Sequence, residues 1–158
     1  MPGVSKPAHA QSEQGARAPY PLEDKPGHLV RRVQQVAVRL FAEHVSTEMT
    51  PVQFAALVAL DSHPRIGQAA LAAMIGYDRA TIGGVIDRLE TKGLVARAAD
   101  PHDRRSNILT LTPTGREAMT TAMPQVEAVQ SALLAPLSGP ERQQFEDMCR
   151  KILQANRG

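Results

Sequence analysis

The chain has 158 residues, 42% hydrophobic and 22% charged, which suits one ordinary domain plus a tail. Its aromatics are Phe41, Phe54, Phe145, Tyr20 and Tyr77, with no Trp, and this argues against the base-stacking platforms of single-stranded nucleic-acid binders. A net charge of +2 permits a polyanionic partner without demanding one, no apolar run approaches a membrane span, and the lone Cys149 rules out an internal disulfide. The N-terminus has no apolar stretch of the signal-peptide kind, so the chain is expected in the cytoplasm and off the membrane.

Residues 1–21 read as a disordered tail. Pro2, Pro7, Pro19 and Pro21 separate its few apolar groups, and such a segment cannot bury enough surface to offset its ordering entropy. One domain is expected over residues 22–158. Leu29, Val33, Val36 and Leu40 recur at helical spacing, with Val30, Ala37 and Phe41 beside them, and predict a helix over Pro26–His44. Thr50-Pro51 opens a second helix as cap and first helical residue. From Val52 to Leu60 that helix is apolar on nearly every side, so it is expected to be buried all round. His63-Pro64 ends it. A short helix follows over Gln68–Ile75, and Gly76 is a natural left-handed stop. Asp78 caps the next helix, which reaches about Lys92 before Gly93. Two helices joined by the tight turn Gly76-Tyr77-Asp78 make a helix-turn-helix.

After Gly93 the period changes from helical to extended. Leu94 to Arg97 and Asn107 to Leu111 predict two strands around a charged tip, residues 100–106. A hairpin behind a helix-turn-helix is a winged helix, here spanning about 50–112. Thr112-Pro113 opens a further helix with Met119, Ala122, Met123, Val126, Val129 and Leu133 on one side, and Pro124 is expected to kink it. Ser138 and Glu141 have capping-box spacing before a last helix, whose stripe is Phe145, Met148, Cys149, Ile152 and Leu153. The expected fold is mainly α with a small β-hairpin wing (α+β), a winged helix-turn-helix with flanking dimerisation helices at about 26–44 and 113–156. Their apolar stripes ask for a partner, and a second copy of the chain is the simplest.

Leu71-Ala72, Arg79-Ala80-Thr81-Ile82, Asp87-Arg88-Leu89-Glu90, Lys92-Gly93-Leu94-Val95, Asp103-Arg104-Arg105 and the run from Leu109 to Arg116 follow one another in order. In this the chain resembles the MarR family of bacterial transcriptional regulators over about residues 26–155. The resemblance implies a homodimer held by the first and last two helices. It also implies two winged helices reading a pseudo-palindromic duplex operator, and a small ligand that often releases the DNA. The chain departs from the family pattern at Gly83 and Gly84, where relatives carry a threonine and a long polar or basic residue. Close packing on a neighbouring helix and close approach to a DNA backbone explain the glycines equally well, so base contacts are not carried over to them.

A helix-turn-helix sets the N-terminal part of its second helix against base edges. Arg79 there could fork two hydrogen bonds onto guanine, and Thr81 could reach a phosphate or a thymine methyl. Gln68 could meet phosphate from the preceding helix. Asp87 and Arg88 fit an internal ion pair or a phosphate contact better than base reading. From Arg79 to Arg105 there are six Lys or Arg and four Asp or Glu, a modest basic surplus. Arg104 and Arg105 stand together at the hairpin tip. By the resemblance, Asp103 pairs within the wing and Arg105 enters the minor groove, whose potential attracts guanidinium where it is narrow. A solvated loop is the plainer alternative.

The first helix carries His28, Arg32, Gln35 and Arg39 on one stripe, while His44 falls among its apolar residues. The runs Pro26 to Arg32, Thr50 to Gln53 and Thr81 to Gly84 are similar to a subset of the family that regulates aromatic or pyridine carboxylate breakdown. That implies an aromatic-acid effector gripped by His28, Arg31 or Arg32, and His44, with Phe54 as a wall. A guanidinium fork suits a planar carboxylate. The simpler reading has the arginines in intersubunit salt bridges and His44 as a satisfied core or helix-end histidine.

No Gly-rich phosphate loop, His-Glu-x-x-His or nucleophile elbow is present, so no catalysis and no cofactor are expected. The histidines, 9, 28, 44, 63 and 102, are dispersed, and Cys149 reads as a small buried hydrophobe. A winged helix that binds protein instead of DNA is the rival reading, as is a regulator that needs no ligand. Steep salt dependence separates DNA from protein binding.

Overall fold

The computed structural model describes residues 20–46, 48–101 and 107–156. The expected tail up to residue 19 lies outside them, as do the wing-tip residues His102, Asp103, Arg104 and Arg105. A single 3-10 turn, Leu22–Asp24, leads into α1 (Pro26–His44), followed by α2 (Pro51–Ser62), β1 (Ile66–Gly67), α3 (Gln68–Ile75) and α4 (Arg79–Thr91). The chain then forms β2 (Val95–Ala99), β3 (Asn107–Leu111), α5 (Pro113–Leu133) and α6 (Gly139–Ala155).

Local chemistry sets most of these boundaries. Thr50 caps α2 reciprocally: its hydroxyl accepts from the Gln53 amide at 3.3 Å, and the Gln53 side-chain oxygen accepts from the Thr50 amide at 3.0 Å. This exchange is why a buried polar residue, Gln53, is tolerated in an otherwise apolar helix. Gly76 closes α3 at φ 73°, a backbone region where a side chain is disfavoured. Glu141 accepts from both the amide (2.8 Å) and the hydroxyl (2.7 Å) of Ser138 and so fixes the start of α6. Pro124, expected to kink α5, lies inside a helix that continues through it.

The sheet has three strands in the order β1-β3-β2, all antiparallel. The sequence predicts only the hairpin. β1 is two residues long, too short to show a period, and exists because Ile66 and Gly67 pair with Leu109 and Ile108.

Two apolar clusters result. One joins α2, α3, α4, the sheet and Met119 of α5, with Leu57, Leu71, Ile82, Ile86, Leu89 and Leu109 fully buried. The other joins the end of α1 to α5 through Phe41, Val45, Ala122, Val126 and Val129. Every residue of α2 from Val52 to Leu60 is buried or half-buried, as its composition predicts. The stripe of α1 behaves differently. Phe41 is its one buried residue, while Leu29, Val33 and Val36 are exposed in the single chain. None of the residues of α6 is buried, and Met148, Ile152 and Leu153 face outward. Among the described residues no helix is long and apolar enough to cross a membrane.

Candidate functional site

Helix α4 buries Ile82, Val85, Ile86 and Leu89. At about 100° per residue, its opposite face carries Ala80, Gly84, Asp87 and Thr91, with Arg79 and Gly83 to one side and Thr81 and Arg88 to the other. Arg79, Thr81 and Arg88 are exposed. The N-terminus is built around Asp78. One carboxylate oxygen accepts from the Thr81 amide at 2.8 Å and the other from the Thr81 hydroxyl at 2.6 Å. The Thr81 hydroxyl and then its amide hold the Asp78 carboxyl below its ordinary range. The Thr81 hydroxyl proton is therefore engaged within the cap, which leaves its methyl for an apolar contact.

The two glycines differ. A Cβ on Gly83 would meet the Gln68 side-chain nitrogen at 3.2 Å, whereas nothing lies within 4 Å of one on Gly84. The nearest neighbour of Gly83 is thus the tip of a flexible side chain, which can yield, and Gly84 faces open space. Gln68, expected to reach phosphate, donates to the Arg79 carbonyl at 3.4 Å in the single chain, which links α3 to α4.

Asp87 is in an internal ion pair, as one sequence-based expectation has it, though Asp87 and Arg88 do not pair with each other. They are adjacent, so they project about 100° apart on the helix. Asp87 pairs across to strand β2, accepting from Arg97 at 2.7 Å, and Glu90 lies 3.5 Å from the same guanidinium. Strand alternation turns Arg97 to the same side as buried Val95, over α4. No local pattern in α4 announces this pair.

The expected effector residues do not gather in one chain. Phe54 lines a groove of about 430 Å³ with Phe41, Val58, Met74, Ile75 and Val126, and its polar rim is Ser62, His63 and Gln130. The groove takes residues from α1, α2, α3 and α5, so no short motif could have revealed it. His28 stands thirteen residues before Phe41 on α1, roughly 20 Å along the axis. It accepts a 3.3 Å contact from Arg31 instead. Arg32 lines a second groove, about 400 Å³, with Leu29, Val33, Leu134, Leu137 and Phe145. His44 is exposed, not set among apolar groups. Its Nδ1 lies 2.9 Å from the Leu40 carbonyl of its own helix, and since a carbonyl only accepts, Nδ1 carries the proton. Arg39 is spent on Glu43 at 2.8 Å. Among the described residues no three His, Cys, Asp or Glu side chains gather as a metal ligand set would require.

Comparison with known proteins supplies the context for this arrangement. The MarR family profile matches residues 49–106, the winged helix-turn-helix portion. The chain is 29% identical to the HTH-type transcriptional repressor NicR of Pseudomonas putida over 154 residues, 97% of this chain and 98% of that one. The fold is similar to that of the PcaV transcriptional regulator of Streptomyces coelicolor, solved in complex with its natural ligand. That match has a TM-score of 0.82 at 35% identity, covering 88% of this chain and 99% of the other. It is also similar to BpsR of Bordetella bronchiseptica, whose DNA binding is regulated by 6-hydroxynicotinic acid. Here the TM-score is 0.81 at 30% identity, with 86% and 98% coverage.

Proposed function

Since the chain belongs to the MarR family of transcriptional regulators, we propose that it is a cytoplasmic repressor, not an enzyme, that binds a pseudo-palindromic duplex operator as a homodimer and is released by a small aromatic carboxylate. The observation that carries the reading is the outward face of α4. Its N-terminus is fixed by Asp78, Arg79 stands free in solvent, and Gly84 opens the helix surface to close approach. A helix so placed suits the major groove, with Arg79 on a guanine edge and the Thr81 methyl against a thymine methyl. Arg88 meets phosphate from the flank, and Arg104 and Arg105 serve the wing.

The uncovered apolar residues of α1 and α6 support the dimer, because exposed valines, leucines and isoleucines at this density ask for a cover. The groove beside Phe54 supports the effector. Its size fits a one-ring acid, and it touches both the helices that flank the winged helix and α3, which carries α4. The similar BpsR, whose DNA binding is regulated by 6-hydroxynicotinic acid, points to the same ligand class. Within one chain the groove has His63 but no arginine on its lining. His28, Arg31 or Arg32 of a second copy is the cation source a dimer can supply.

The test is selection of bound duplexes from a random pool, followed by titration over a range of KCl. Binding should fall steeply with salt, and 6-hydroxynicotinate or a hydroxybenzoate should release the duplex. Arg79→Ala should cost about 1–3 kcal/mol and relax preference at one position, while Arg105→Ala should weaken all sequences alike. A salt-independent interaction, or no duplex bound, overturns the reading.

A further inference from the structure

Asp87 lies on the stripe of α4 directly opposite its buried residues, one turn beyond Gly84, where a DNA backbone or base edge would approach. A carboxylate there repels phosphate. Arg97 reaches over from β2 and donates to Asp87 at 2.7 Å, with Glu90 3.5 Å away on the same guanidinium. Arg97 is 26% exposed, against 66% for Asp87 and 42% for Glu90, so the cation sits beneath the two acids rather than beside them in solvent. Its Nε is shut off from solvent and faces Glu90 without a hydrogen bond among the described residues, so this part of the guanidinium is enclosed by its neighbours. Because β2 is an edge strand whose period turns Arg97 inward, the side chain is aimed at α4 rather than outward at a duplex.

We propose that Arg97 is a positioning residue for DNA binding: it covers the charge of Asp87 and draws that carboxylate back toward the hairpin, so that the outward face of α4 meets DNA without a free anion. The proposal rests on the DNA-binding reading of α4. It differs from a phosphate-contact role, in which Arg97 would itself touch the backbone. It also differs from a base-reading role for Asp87, in which the carboxylate would accept from a cytosine amine.

A duplex selected by the wild-type protein serves as the probe, with anisotropy titrations at several KCl concentrations and a melting curve for each variant. Arg97→Met should raise Kd about tenfold or more, with the salt slope unchanged because no phosphate contact is lost. Asp87→Asn alone should leave Kd within about threefold, and Asp87→Asn with Arg97→Met should recover most of the loss, since removing both charges restores a neutral face. If Arg97→Met lowers the slope by about one, Arg97 is a phosphate contact and the proposal fails. It fails equally if the double variant binds as poorly as Arg97→Met, or if Asp87→Asn changes the preferred base. A loss that disappears once folded fractions are equalised marks a structural role only and also overturns it. Failure of the wild-type protein to bind any duplex would sink the DNA-binding reading itself, and this proposal with it.

Discussion

Gly115, in the first turn of α5, lies so close to the backbone of Leu94 that a Cβ there would overlap the Leu94 carbonyl oxygen. The contact belongs to a knot at the root of the wing. The Thr112 amide donates to that same carbonyl at 3.1 Å, the Thr112 hydroxyl donates to the Gly93 carbonyl at 2.7 Å, and it accepts from the Gly115 amide at 2.9 Å. One threonine thus caps α5 and pins the end of the α4-to-β2 turn. Helix α5 leaves the winged helix along a direction set by backbone, which cannot yield as a side-chain tip would.

Gly115→Ala is accordingly expected to destabilise the fold by roughly 1–3 kcal/mol or more, the range for an added methyl that must displace its surroundings. Urea denaturation followed by circular dichroism measures this directly. A variant as stable as the parent would mean that the turn at Gly93 and Leu94 is free to move.

The caps and turns were legible in the sequence because each is a local rule. Thr50-Pro51, Asp78 and Thr112-Pro113 stand where α2, α4 and α5 begin, and Gly76 stops α3 where a left-handed residue is needed. What escaped depends on distance. β1 is made by residues more than forty positions away, and the Asp87–Arg97 pair spans a helix end and a turn. The groove beside Phe54 draws on four helices, so Met74 and Val126 could not be assigned to it from spacing. The stripe on α1 gave the right helix and set His44 among its apolar residues; helical position does not say where an apolar face stops being covered, and His44 is the satisfied helix-end histidine of the simpler reading. Arg31 and Arg32 were recognisable as cations, but spacing within one chain does not say which residues a second copy brings beside Phe54.

Gly84 separates stability from function. With open space around it, Gly84→Ala relieves the helix of glycine's backbone entropy and should stabilise the protein by about 0.5–1 kcal/mol. If the outward face of α4 is approached closely by DNA, the same methyl should weaken operator binding. Melting curves and titrations on one preparation are enough. A gain in both stability and affinity would show that no backbone or base comes near this position.

Asp78 links the start of α4 to pH. Hydrogen bonds from the Thr81 hydroxyl and amide depress its pKa in the folded protein. A carboxyl with a lowered folded pKa contributes stability that is complete above its unfolded pKa, about 4, and lost as pH falls through the folded value. Glu141, depressed by the Ser138 hydroxyl and amide, acts in the same sense and the same window at the start of α6. Asp78→Asn should therefore flatten the acid limb of a melting-temperature profile below about pH 4, with little change near neutrality. Thr81→Val should act similarly by removing the larger of the two causes. An unchanged acid limb in both variants would dissociate the cap from acid sensitivity.

The groove beside Phe54 can be tested by filling it. Ala55 is half-buried on its wall and takes no part in either buried cluster, so a larger side chain there enters the groove without displacing the core. Ala55→Phe should leave duplex binding within about threefold of the parent, while weakening binding of 6-hydroxynicotinate by tenfold or more, about 1.4 kcal/mol. Calorimetry gives the second number, and release of a labelled duplex by added acid gives its consequence. The two must move together, because a ligand shifts an equilibrium only by its differential affinity for the two states. Undiminished acid binding in the variant would place the effector elsewhere. The groove that Arg32 lines with Leu134 and Phe145 would then be the next position to fill.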